Sequence, residues 1–210
     1  MQNIGFIGTG LMGFPMAKNI LKAGYKVRAF NRSKNKAEPL KDFGAEISNS
    51  IRELVKESHV VITMLTNDDA VNEVIGSDEF LNNLQPNSTV IDMSSVKQTT
   101  AVNHGKNLKS RKINYLDAPV SGGVVGAVDG TLTFMVGGDE RAFNKIKPLF
   151  EVMGKKAENG SLVFSGYVPD DAVLQSLAKK GDAAGVLLAS GEPESFAATL
   201  EIVAAQLVKL

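Results

Sequence analysis

The sequence predicts an α/β protein built on a doubly wound, mostly parallel sheet. Two observations carry that expectation. Short apolar runs of strand length alternate with segments of helical spacing along residues 3–116. Between the first run and the first helix stand Gly8, Gly10 and Gly13, in a G-x-G-x-x-G spacing.

Residues 4–7 have the length and content of a buried parallel strand. In the turn that follows, the first glycine permits the tight bend and the second lets a ligand's pyrophosphate approach backbone with no Cβ in the way. The third lets the helix sit close on the strand. From Leu11, apolar residues recur at helical spacing through Met12, Met16, Ile20 and Leu21, until Gly24 supplies a stop. The helix N-terminus therefore points at the glycine turn, where free N–H groups and the dipole favour an anion. Residues 25–30 form the second strand. A strand, this turn, a helix and a second strand together make a dinucleotide-binding fingerprint, which the glycines alone do not. An Asp or Glu at the end of the second strand would bond the ribose 2′-hydroxyl of NAD, whereas an Arg suits a 2′-phosphate. The chain has Asn31, Arg32 and Ser33, with Lys34 and Lys36 behind them, and this favours NADP over NAD. The other reading of the basic cluster is a solvated helix start.

The alternation continues with helix over 37–43 and 51–56, strand over 60–65, helix over 69–75 and strand over 89–93. A helix over 97–110 and a strand over 113–116 follow. In such a sheet ligands collect outside the carboxyl ends of the strands, so three strand ends matter. Met64, Leu65 and Thr66 close one and would pass along the cofactor's ribose, or belong to the core. Ser94 and Ser95 close the next and offer two hydroxyls, or cap the following helix. The third end runs from Asp117 through Ala118, Pro119 and Val120 to Ser121, Gly122 and Gly123. Its small residues expose backbone N–H groups and a hydroxyl, equipment for a carboxylate or carbonyl oxygen.

Composition narrows the function classes. Lysine plus arginine equals aspartate plus glutamate at 23 each, which gives no general field for nucleic acid or an anionic membrane. With no cysteine and only His59 and His104, thiol chemistry is excluded and no metal site is expected. The longest apolar runs are too short to cross a bilayer and the N-terminus enters a strand directly, so a soluble cytoplasmic protein is the expectation.

The run from Gly5 to Ala17, with Asp117-Ala118-Pro119-Val120-Ser121-Gly122-Gly123 and Gly126-Ala127, resembles the β-hydroxyacid dehydrogenases. That family includes 3-hydroxyisobutyrate dehydrogenase and the tartronate semialdehyde and glyoxylate reductases. The resemblance covers residues 1 to about 156. It implies a Rossmann-type domain, a nicotinamide cofactor and a small hydroxyacid or semialdehyde as partner. By position it implies Gly8, Gly10, Leu11, Met12 and Gly13 at the pyrophosphate, and Asn31 and Arg32 at the adenosine ribose. Leu65 and Ser95 fall on the ribose and nicotinamide side, and Ser121, Gly122 and Gly123 at the substrate. In the family a lysine shortly after a G-x-G segment, followed by an asparagine, donates the proton from an all-helical second domain. The corresponding residues 166–172 contain neither. Lys179 and Lys180 are the nearest candidates, and the Gly181-Asp182 behind them reads as a helix end. Turnover by this chain alone is therefore expected to be weak or absent. Homo-oligomer formation is left open.

From about residue 158 the chain turns alanine-rich, with strands expected over 161–167 and 184–189 and helices over 170–180 and 192–210. The division is thus 1–157 and a β-α-β-α tail over 158–210, which extends the sheet or forms a small unit of its own. Its composition suggests either a join between sequences of different origin or a natural divergent end.

Overall fold

A computed structural model describes residues 3–154, 162–166 and 188–190 of the chain. Strand β1 (Asn3–Ile7) leads through the glycine turn into helix α1 (Gly13–Lys22) and back to β2 (Lys26–Phe30). The next expected helix, over 37–43, is instead a pair of 3-10 turns at Lys34–Lys36 and Glu38–Phe43. Pro39 at its start and a left-handed Gly44 at its end leave only six residues, and only Leu40 among them is buried. β3 (Glu46–Ile47), α2 (Ile51–Lys56), β4 (Val60–Thr63), α3 (Asp68–Ile75) and the short α4 (Asp78–Leu81) follow. Then come β5 (Thr89–Asp92), α5 (Gln98–Ser110) and β6 (Asn114–Asp117).

The strand order β3-β2-β1-β4-β5-β6 is parallel throughout. The β1-α1-β2 and β2-β3 connections lie on one face, where Ala37 and Leu40 join the core of α1, and the β3-α2-β4 crossover returns along the other, so the order reverses between β1 and β4. A crevice therefore opens above their carboxyl ends. The sequence patterning did not announce the stretch beyond β6. There β7 (Val120–Ser121), α6 (Gly123–Asp129), β8 (Thr133–Gly138) and α7 (Glu140–Met153) form a return unit, with β8 antiparallel to both β6 and β7. β9 (Leu162–Gly166) and β10 (Leu188–Ser190) extend the sheet in parallel beyond β8. These strands fall within the spans expected to be extended, apart from Ser190, while the expected helices over 170–180 and 192–210 lie outside the described residues.

Each face of the sheet carries its own apolar core. One buries Phe6, Met16, Ile20, Phe134, Phe143 and Phe150 with α1, α6 and α7. The other buries Ile7, Leu54, Val61, Val71, Phe80 and Leu108 with α2, α3 and α5. Central strands buried on both faces explain the near-continuous apolar runs of β1, β4 and β5. Among the described residues no helix is long and apolar enough to cross a membrane.

Candidate functional site

The glycine turn is fixed by steric demands that differ at each position. Gly8 has φ +98°, and a Cβ there would lie 2.2 Å from the Met64 carbonyl oxygen. At Gly13 a Cβ would lie 1.9 Å from the Gly8 carbonyl oxygen. Both glycines are thus required by the fold itself. Gly10 is exposed, and a Cβ there would meet nothing within 4 Å. Only something outside the described chain can need the space above it.

Helix starts point the same way. Among the described residues, four helices have their first turn capped by a side chain: Ser50 on α2, Asn67 on α3, Ser77 on α4 and Asp139 on α7. A neighbour serves α5, since Asp68 Oδ1 accepts from the Lys97 N–H at 2.9 Å and from the Thr100 hydroxyl at 2.6 Å. α1 and α6 have neither device, their N-caps being Met12 and Gly122. The N–H groups of Leu11, Met12 and Gly13 make no hydrogen bond within the described residues. They lie at the crevice, at the positive end of the α1 dipole.

At the end of β2, Arg32 and Ser33 are exposed, and among the described residues Arg32 has no carboxylate partner. The neighbouring Arg28 is held by Glu46 at 2.6 Å and Glu53 at 3.7 Å, so Arg32 is the guanidinium left over. Asn31 is turned inward: its Oδ1 accepts from the Thr9 N–H at 3.0 Å and its amide donates to the Ser33 carbonyl at 3.1 Å. A groove of about 530 Å³ runs from Thr9, Gly10 and Leu11 along Lys18 and Lys22 to Lys36.

Met64 and Leu65 are half-buried and Thr66 is exposed, all past the end of β4. Of the two serines after β5, Ser94 is fully buried and its hydroxyl accepts from the Leu65 N–H at 2.9 Å. It therefore ties two crevice loops together and caps no helix. Ser95 is exposed toward solvent. Ser121, Gly122 and Gly123 are also exposed, with the two glycines at φ +129° and +59°. Lys179 and Lys180 lie outside the described residues.

Sequence reasoning missed a buried polar row beneath this rim. Thr63, Asp92 and Asp117 are register partners across β4, β5 and β6. Asp92 Oδ1 accepts from the Thr63 hydroxyl at 2.8 Å and the Ser94 N–H at 3.1 Å. Its Oδ2, Asp117 Oδ1 and the Tyr115 hydroxyl are buried without a partner among the described residues. Burial raises the Asp92 carboxyl above its ordinary value. Burial, then the Asp92 charge, pushes Asp117 up to about 8. Tyr115 is raised well above the phenol range by burial and by both carboxylates. The signal was present: two successive apolar strands each end in aspartate, and parallel pairing sets those ends side by side.

The chain matches the family model described as the NAD binding domain of 6-phosphogluconate dehydrogenase over residues 3–166. It is 42% identical over 156 residues to the NAD-dependent L-serine dehydrogenase of Pseudomonas aeruginosa, an alignment covering 74% of this chain and 52% of that protein. Among solved structures, it resembles 3-hydroxyisobutyrate dehydrogenase of Mycobacterium tuberculosis with L-serine, at TM-score 0.71 and 38% identity, covering 74% of this chain and 53% of the other. Psf3 in complex with NADP+ and 2-OPP matches at TM-score 0.71 and 30% identity, covering 83% and 60%. The chain spans about half the length of the curated relatives it matches.

Proposed function

The chain belongs to the family of the NAD binding domain of 6-phosphogluconate dehydrogenase and is similar over that span to β-hydroxyacid dehydrogenases, and from that premise we propose that it binds NADP(H) in preference to NAD(H) for reversible oxidation of a small hydroxyacid. The observation that carries this reading is the uncapped start of α1 beneath an unobstructed Gly10, where most of the other helices among the described residues are capped. Leu11, Met12 and Gly13 would give their N–H groups to the pyrophosphate. Arg32 and Ser33 would take the 2′-phosphate, because no carboxylate stands there to receive a 2′-hydroxyl. Met64, Leu65, Thr66 and Ser95 would line the ribose and nicotinamide side, and NAD would bind in the same place more weakly. When bound, the nicotinamide supplies or accepts the hydride.

Ser121, with the backbone at Gly122 and Gly123, would hold the carboxylate of a small hydroxyacid or semialdehyde. The L-serine named for two of the relatives supports a substrate of that size and charge. A second reading, a cofactor-binding module without turnover of its own, is favoured by residues 166–172, which lack the family's lysine and asparagine. Titration with NADPH, followed by its fluorescence, and a panel of semialdehydes separate the two. Binding with reduction supports the enzyme, binding without reduction supports the module, and no binding of NADPH sinks both.

A further inference from the structure

In a strand-turn-helix-strand unit the residue that follows the second strand is where a cofactor's ribose is ordinarily met by a side chain. Asn31 occupies that place, and its side chain is committed elsewhere. Its Oδ1 accepts from the Thr9 N–H at 3.0 Å, inside the glycine turn, while its Nδ2 donates to the Ser33 carbonyl at 3.1 Å, in the loop that carries Arg32. A primary amide has one acceptor oxygen and two N–H donors, so both ends of this one are in use. The Gly8 N–H also donates to the Phe30 carbonyl at 2.9 Å. Two bonds therefore stitch the glycine turn to the end of β2, and one of them passes through the Asn31 side chain.

We infer that Asn31 is a positioning residue that couples the turn receiving the pyrophosphate to the loop receiving the adenosine 2′-substituent, and that it sets cofactor choice from behind, without touching the ribose. The inference rests on the cofactor reading above. Thr9 is buried, so its N–H has no water to fall back on if Asn31 is removed. The turn would then lose the bond that fixes the direction of the next N–H groups. Ser33 and Arg32 would lose their tether to the strand end. An aspartate at this position keeps the acceptor for Thr9 but cannot donate to Ser33, and it sets a carboxylate against that carbonyl.

The test uses inorganic pyrophosphate, which has no ribose, competing against NADPH. In Asn31→Ala its affinity should fall roughly tenfold, the size of one lost hydrogen bond, with the unliganded melting temperature as a control for folding. In Asn31→Asp, NADPH should weaken more than about tenfold while NADH stays within about threefold of the parent. Unchanged pyrophosphate binding in Asn31→Ala, or tighter NADH binding in Asn31→Asp, would overturn the inference, because the second result would mean that the new carboxylate takes the ribose hydroxyl. Should Asn31→Ala not fold, the NADH comparison in Asn31→Asp decides alone. Failure of the parent chain to bind NADPH is a separate result, which removes the cofactor reading first.

Discussion

At the scale of single residues, the three glycines of the turn separate into Gly8 and Gly13, where a Cβ would collide with backbone, and Gly10, where it would meet nothing. Gly10→Ala adds a methyl group into open space and should leave the melting temperature of the unliganded chain almost unchanged. It should nonetheless weaken NADPH by at least about tenfold, since overpacking a tight contact costs about 1–3 kcal/mol. Equal NADPH affinity in Gly10→Ala and the parent would remove the pyrophosphate from this turn. Asp117 makes a different kind of prediction. Its carboxyl is pushed up to about 8 when folded, whereas the unfolded chain releases that proton near the ordinary carboxylate value of 3.8. The folded state therefore holds more protons between those values, and stability falls as pH rises from about 4 to about 8. Asp117→Asn mimics the neutral acid, so it should melt above the parent at pH 8, with the gap closing toward pH 4. A gap that does not change with pH would refute the assignment. The glycines could be read from the sequence because their spacing is local. The polar row could not, since it exists only once β4, β5 and β6 are in register.

At the scale of elements, the sequence was most legible where one run meets one helix and returns in parallel. β1, α1, β2, α2, α3, β4, β5, α5 and β6 stand within two residues of their expected bounds. The return unit of α6, β8 and α7 was illegible for a physical reason. β8 runs antiparallel, ends in Gly137-Gly138 and alternates half-buried with buried residues, while α6 begins in two left-handed glycines and shows no apolar stripe. The starts of α3 and α5 show how elements around the crevice are locked together. Asp68, in the first turn of α3, accepts from Lys97 and Thr100 at the start of α5. The Thr100 hydroxyl first, and then the Lys97 N–H, hold its carboxyl below the ordinary value. The stabilisation is therefore present above the unfolded value and is lost as pH falls through the lower folded one. Asp68→Ala should lower the melting temperature at pH 7, with the deficit shrinking as pH falls below the ordinary carboxylate value. A deficit that persists unchanged into acid would mean that the lost contacts are not carried by the charge.

At the scale of the molecule, the balance of 23 cationic and 23 anionic side chains means that no long-range field draws a polyanionic cofactor in. On the proposed reading attraction is local, from the start of α1 and from Arg32, which among the described residues has no carboxylate partner while Arg28 is held by Glu46 and Glu53. NADPH and NADH differ only in the 2′-phosphate, so a comparison between them isolates the Arg32 end of the crevice from the glycine turn. Arg32 is exposed, and its attraction is screened over about 10 Å at an ionic strength of about 0.1 M. Raising the salt from about 0.02 M to about 0.2 M should therefore weaken NADPH several-fold more than NADH. Arg32→Asp should abolish that difference in salt response and reverse the preference, because it sets a carboxylate where the 2′-phosphate would sit and where a 2′-hydroxyl could donate. If NADPH and NADH respond to salt alike in the parent, or lose affinity alike in Arg32→Asp, the 2′-phosphate is not held at this loop. The preference for NADP would then have to arise from a cation elsewhere along the groove, with Lys36 the next to substitute.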